Sequence, residues 1–222
     1  MKKIIIFLLI SVGTTTVLFA QQNKFDIGIE GGPSRTFLRG NDFLEEFYDP
    51  KIGFSGGIFL QYNFPKIFSI RTNLAFERKG TLFKGTLINT NGEGYGEFTA
   101  HLNYEYLTLP VLIRAGFGNK VKYFVNAGPF LGHLMKQENI VKAAGYLTLT
   151  NEYTNSYKQF DVGITAGLGV TIPIKEKFYI SCEIRNNQGL LDISKSQIYN
   201  GGTIKTNSTN LLVGLAYKLG TR

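Results

Sequence analysis

Every second residue from Phe160 to Ile172 is apolar: Phe160, Val162, Ile164, Ala166, Leu168, Val170 and Ile172. Between them stand Asp161, Gly163, Thr165, Gly167, Gly169 and Thr171, all small or polar. A strand sends successive side chains to opposite faces, so this segment has one greasy face and one polar face. It is long enough for a tilted strand to cross a bilayer, which takes roughly 9–11 residues. The same period of two predicts seven further strands, over about 24–33, 52–63, 67–79, 100–115, 122–134, 177–187 and 209–219.

Their apolar faces carry Ile27 and Ile29, then Ile58 and Leu60, then Ile70 and Leu74. The fourth strand puts Leu107, Leu109, Val111 and Ile113 outward, and Tyr104, Tyr106, Thr108, Leu112 and Arg114 inward. Glu105 falls outward under this phase, which is tolerable only at a rim. Between the strands, short turns at 63–66, 117–120 and 173–176 alternate with long polar stretches at 34–51, 80–99, 135–157 and 188–208. Short periplasmic turns and long outer loops are the rhythm of a membrane barrel with both strand ends in the periplasm. The fold expected is therefore all-β, an eight-stranded antiparallel transmembrane up-and-down barrel. Closure follows because an unpaired backbone group in hydrocarbon costs several kcal/mol, and only a closed sheet has no edges. A soluble lipocalin-like barrel also alternates, but it would turn its apolar face inward and its charges outward. The continuous apolar faces and the polar faces rich in Gly, Ser, Thr and Asn favour the membrane barrel.

The first twenty residues read as a secretory signal. Lys2 and Lys3 precede the apolar run Ile4–Ile10, and Leu18-Phe19-Ala20 precedes Gln21. The expected division is 1–20 signal peptide and 21–222 barrel domain, with a mature chain that fractionates with the outer membrane. Of 24 Lys and Arg, the two in the leader are removed, which leaves a formal +6 against 16 Asp and Glu. The excess is scattered, and no nucleic-acid partner is expected. The single cysteine, Cys182, lies on an apolar face and reads as a packed or lipid-facing thiol.

Charge on the inward faces is the candidate site. Asp26, Glu30, Arg71, Glu77, Arg114, Asp161, Glu183, Arg185 and Lys218 all point there. An eight-stranded barrel has an interior just wide enough for side chains to fill. Charges taken out of water must be paired. Arg71, Glu77, Arg114, Asp161, Glu183 and Arg185 are therefore expected to form a lumen charge network. Arg71, Arg185, Glu77 and Glu183 are expected within one paired set. Gly163, Thr165, Gly167 and Gly169 on one wall are expected to leave room for Arg and Tyr from the opposite wall.

Catalysis has little support. His101 and His133 sit near strand tops, and the serine next after His133, Ser156, is far along the chain. Gly167-Leu168-Gly169 lacks the third glycine of a dinucleotide fingerprint, and no zinc ligand set is recognisable. No cofactor, metal or catalytic residue is expected. Aromatics cluster at the short turns: Tyr62, Phe64, Phe68, Phe117, Tyr123, Phe178, Tyr179 and Tyr217. They suit a periplasmic-side girdle.

The segment Tyr106-Leu107-Thr108-Leu109-Pro110-Val111-Leu112-Ile113-Arg114 resembles the PorT-like outer-membrane β-barrel family of Bacteroidota, often labelled "porin family". Three more segments agree in order: Asn126 to Gly132, Gly163 to Pro173, and Glu183 to Leu190. The resemblance spans about 24–219 and is more specific for fold than for activity. The filled lumen and the loop lengths point to a non-enzymatic outer-membrane barrel acting as a structural or interaction protein through its outer loops, with a small-solute porin or transporter as the alternative and a rim enzyme acting on lipids as the least favoured reading; the resemblance adds an accessory role in a secretion or envelope complex. The partners it implies are outer-membrane lipid, the barrel assembly machinery during biogenesis, and proteins of an envelope or secretion complex.

Overall fold

A computed structural model of the chain describes residues 24–143, 148–196, 198 and 202–219. The expected leader and its cleavage site lie outside the described residues. The strands are β1 (Phe25–Arg39), β2 (Tyr48–Asn63), β3 (Phe68–Ile88), β4 (Gly94–Phe117), β5 (Lys122–Ala143), β6 (Leu149–Glu152), β7 (Phe160–Pro173), β8 (Phe178–Gly189) and β9 (Lys205–Leu219). All pairings are antiparallel, and β1 closes on β9, so eight of these strands form a ring. The short β6 only extends the outer part of β5, at Glu138–Val141. A one-and-a-half-turn helix, α1 (Asp42–Phe47), bridges β1 and β2. Asn41 caps it by accepting from the Phe43 N–H at 2.9 Å.

One circuit of the ladder fixes the barrel's shape. Stepping from partner to partner runs Phe25, Tyr62, Ile70, Ile113, Ala127, Ala166, Asn186, Thr209 and back to β1 at Arg35, ten residues above the start. With about 3.3 Å per residue and about 4.8 Å between strands, that offset over eight strands tilts them roughly 40° from the axis.

The period-two phases hold around the ring. Ile164 is 52% exposed while its neighbour Thr165 is 1% exposed. Outward positions carry no charge and are apolar over 25–33 on β1, 54–62 on β2, 68–76 on β3 except Thr72, whose hydroxyl donates to the Pro110 carbonyl, 107–115 on β4 and 123–131 on β5. Ladder contacts at the short-turn end join Phe25 to Tyr62, Tyr62 to Phe64, Phe117 to Tyr123 and Phe178 to Tyr217, with ring centroids 4.9–6.2 Å apart. Tyr179 departs from the expected girdle: it points inward and is buried. Cys182 is exposed on the lipid side.

Strand ends depart further from expectation. The stretch 80–99 is mostly ladder, since β3 and β4 stay paired from Phe68↔Ala115 to Ile88↔Gly94. Likewise β5 runs on to Ala143 and pairs there with both β4 and β6. The β3–β4 projection is therefore strand for most of its length, with a tight turn at Asn89–Glu93, whereas the described residues between β8 and β9 form no strand. Glu105 does sit at a rim, where its carboxylate meets Arg78 at 2.5 Å.

Candidate functional site in the barrel lumen

The inward faces of the strands bring their charges into two tiers. In the lower tier Glu30 of β1 binds Arg71 of β3 and, at 2.7 Å, Arg185 of β8. Arg185 also holds Glu183 at 2.6 Å, and Glu183 holds Arg114 of β4 at 2.8 Å. The result is an alternating chain, Arg71–Glu30–Arg185–Glu183–Arg114, that crosses the lumen. Amides complete it: Asn73 donates to Glu30 at 2.5 Å and Asn126 to Glu183 at 3.0 Å. Below it Asp26 accepts from the Tyr179 hydroxyl at 3.0 Å.

The upper tier is centred on Lys79 of β3. Its ammonium lies 3.1 Å from Asp161 of β7 and 3.7 Å from Glu77. Thr206 donates to Asp161 at 2.6 Å, while Asn187, Ser208 and Asn210 donate to Glu77 at 3.1, 2.5 and 3.2 Å. Three guanidiniums thus face two carboxylates below, and one ammonium faces two carboxylates above. The excesses cancel, which suits charges removed from water.

All six expected lumen residues are buried, and the structure places them in different sets. Arg71, Arg114, Glu183 and Arg185 share the lower tier, and Glu77 and Asp161 share the upper. Glu77 therefore does not pair with Arg71 or Arg185; Lys79 takes that role. Lys79 is the last residue of the third strand as its alternation predicts it, and its inward phase follows that of Glu77. Lys218 lies near the turn end and reaches the Glu176 carbonyl at 3.5 Å.

Three of the four lumen cations rest on an aromatic ring that has a glycine opposite; Arg185 is held by carboxylates alone. Arg71 lies 3.4 Å above Phe59, Arg114 lies 3.7 Å above Phe124, and Lys79 lies 4.6 Å from the Phe130 centroid. Phe59 is the ladder partner of Gly28, Phe124 of Gly169 and Phe130 of Gly163. A methyl group built on those glycines would come within 2.5, 2.6 and 2.5 Å of the ring. So Gly163 and Gly169 of β7 do make room, but for phenylalanines of the adjacent strand, and Gly167 makes room for Asn126 and Glu183. That corrects the expectation of Arg and Tyr from the opposite wall. A large aromatic on an otherwise polar face was the signal in the sequence.

An apolar cap closes the outer end. Leu38, Tyr104, Tyr106, Leu134 and Ile193 are buried together there, and the Tyr157 ring stands edge-on to Tyr104 at 5.0 Å. Ile193 comes from the stretch 188–208. Its N–H donates to the Ile204 carbonyl at 2.8 Å, and its own carbonyl accepts from the Lys158 N–H at 2.8 Å. Asp192 fixes the bend by accepting from the Ser194 and Ile204 N–H groups at 3.1 and 2.9 Å. No sequence pattern marked Ile193 as an inward residue.

Neither histidine belongs to this site. His133 is outward and exposed, with its ring 5.4 Å from Phe160. His101 lies above the membrane belt on β4. Burial, then the charges of Lys51 and Lys142, holds its imidazole below the usual range. Among the described residues no group of three or more His, Cys, Asp or Glu could hold a metal ion, and no helix is long and apolar enough to cross a membrane.

A closed eight-stranded ring with a lipid-facing apolar belt and a polar interior is the architecture of a transmembrane β-barrel of the outer membrane. Residues 19–195 match the outer membrane protein beta-barrel domain family, and the chain belongs to that family and to the outer membrane. No curated protein matches the sequence. Among solved structures the chain is similar to Neisserial surface protein A of Neisseria (14% identity, 87% of this chain and 96% of that chain, TM-score 0.46). It is also similar to Ail, the attachment invasion locus protein of Yersinia pestis (12% identity, 87% and 98%, TM-score 0.40), and to OprG of Pseudomonas aeruginosa (11% identity, 91% and 99%, TM-score 0.41).

Proposed function

We propose that this barrel is a non-enzymatic, closed-lumen protein that works as a structural or interaction element through its outer projections. The observation that carries this reading is the stack of three closures in the lumen: the Ile193 cap, the Lys79 tier and the Arg185 tier. An ion crossing the lumen would have to displace buried, mutually neutralising pairs, whose disruption costs several kcal/mol. The outer ladders, by contrast, present side chains on both faces to whatever lies outside. Proteins of an envelope or secretion complex fit that surface as partners, and the barrel assembly machinery fits the barrel during biogenesis. The placing among PorT-like proteins of Bacteroidota belongs to the same proposal and rests on the four segments quoted above. Planar-bilayer recording tests it. Wild-type protein is expected to show no steady unitary current. Steady single-channel steps from folded protein would replace this reading with a small-solute pore.

A further inference from the structure

The outward surface changes character where β8, β9 and β1 meet. The ladder pair Ile184–Leu211 is apolar and exposed. The next outward row up is Asn186, Thr209 and Arg35, and the one above it is Gln188, Asn207 and Phe37. Residues directly opposite on one face have Cβ atoms about 4.5–5.5 Å apart, so each row is a contiguous strip. On β7, beside this patch, Ile164, Val162 and Phe160 remain outward and exposed above Ala166, the partner of Asn186. The polar rows thus cut a notch into the apolar belt, with an apolar wall along β7.

Donors dominate the notch. Asn186 Nδ2 donates to Asn207 Oδ1 at 3.0 Å and to Thr209 Oγ1 at 2.9 Å. Those bonds occupy acceptor oxygens and leave the hydroxyl hydrogen of the half-buried Thr209 without an acceptor among the described residues, while Asn207 is itself buried behind the row. Arg35 is exposed, and its contact is a ring, Phe37, at 5.7 Å. Three cations elsewhere above the belt are paired, Arg78 with Glu105 at 2.5 Å, Lys136 with Glu138 at 2.6 Å and Lys84 with Asp49 at 3.4 Å, whereas Lys142, near the outer end of β5, has no carboxylate partner among the described residues. Arg35 has no carboxylate within ion-pair distance among the described residues. It stands opposite Ile52 on β2, one outward step above Phe54, where the belt gives way to the headgroup layer.

We infer that the β8–β9–β1 rim binds the phosphate of an anionic outer-leaflet lipid, with Arg35 as its cation and the half-buried Thr209 hydroxyl as a further donor. A phosphate offers only acceptors. A guanidinium fork meets two of them at once, as a lysine ammonium does not. The apolar wall of Ile164 and Val162 gives the acyl chains of the same lipid a continuous surface. This site lies on the outside of the barrel and does not depend on whether the lumen conducts.

The test uses full-length protein refolded into phosphatidylcholine nanodiscs doped with diphosphoryl lipid A or with its dephosphorylated form. Retained lipid is read by native mass spectrometry. Wild-type protein is expected to keep the diphosphoryl lipid and lose the dephosphorylated one. Arg35→Gln should lower retention about tenfold, the effect of one charge-assisted contact, and Arg78→Gln should leave it unchanged. Thr209→Val, which keeps the guanidinium, should also lower retention and serves if Arg35→Gln does not refold. Equal retention by wild type and Arg35→Gln, or an equal loss in Arg78→Gln, would overturn the assignment. So would binding of inorganic phosphate by detergent-solubilised protein with no lipid retained.

Discussion

Arg185 is the side chain that joins the two halves of the lower tier, because its guanidinium meets Glu30 on β1 and Glu183 on its own strand. Removing it leaves two buried carboxylates sharing Arg71 and Arg114. Breaking a buried pair costs about 3–5 kcal/mol, since the abandoned charge cannot reach water. Arg185→Ala is therefore expected to lower the temperature at which folded protein loses its fast gel mobility far more than Lys84→Ala, whose partner Asp49 is exposed. A second residue-scale expectation concerns Lys51, above the membrane on β2. Burial, then the nearby charge of Arg78, brings its ammonium down to about 8. A lowered lysine favours the neutral form in the folded protein, so its cost to stability is full below about 8 and is relieved as pH rises from there to the value of a free lysine, 10.5. Competitive acylation should find Lys51 half-reactive near pH 8; a midpoint matching that of a free lysine would contradict it. Inward charge was legible residue by residue because each member occupies the polar phase of a clean strand. Lys79 was less so, since it stands at the last position before the alternation fades. Ile193 was not, because its burial comes from a bend set by Asp192 and the Ile204 backbone and from no periodic pattern.

Strand phase is the part of the elements that sequence states most clearly. Within the bilayer one face meets lipid and the other meets buried polar groups, so selection for two environments writes a period of two. Outside it both faces are wet. The ladder of β3 and β4 continues through Leu82, Phe83 and Lys84 with no need for alternation, and its sequence therefore reads as loop. Hydrogen bonding extends those strands where side chains carry no signal. The Phe–Gly pairs are a second element-scale device: each inward ring lies across a neighbour that has no side chain, and a cation then sits on the ring. At Gly163 a Cβ would lie 2.1 Å from the Gln188 carbonyl oxygen and 2.5 Å from the Phe130 ring. Gly163→Val is accordingly expected to destabilise the barrel by about 1–3 kcal/mol through overpacking and to displace the ring under Lys79. Gly96→Ala, whose added methyl meets only Leu87 at 3.7 Å, should be neutral in the same urea titration. Equal midpoints would mean that β7 can move away from Phe130.

At the scale of the whole molecule, the closed ring, its orientation and its membrane were all written in the alternation of strands and in the contrast between short and long connections. The partition of lumen charge into two tiers was not, because it depends on the ten-residue stagger of the ladder around the ring. That stagger decides which inward residues meet at one height. One consequence concerns reach. From the belt's edge at Phe76 the β3 strand runs twelve residues to Ile88, about 40 Å of strand at the usual rise, or roughly 30 Å of height once tilted. Its tip is tied, with the Asn89 side-chain oxygen accepting from the Asn91 and Glu93 N–H groups at 2.9 Å each. The hairpin is thus a mast rooted in the same hydrogen-bond ladder that crosses the bilayer, so a pull on its tip is borne by the barrel wall. A sugar coat shallower than that height leaves Thr90 to Gly92 standing above it, open to an approaching surface.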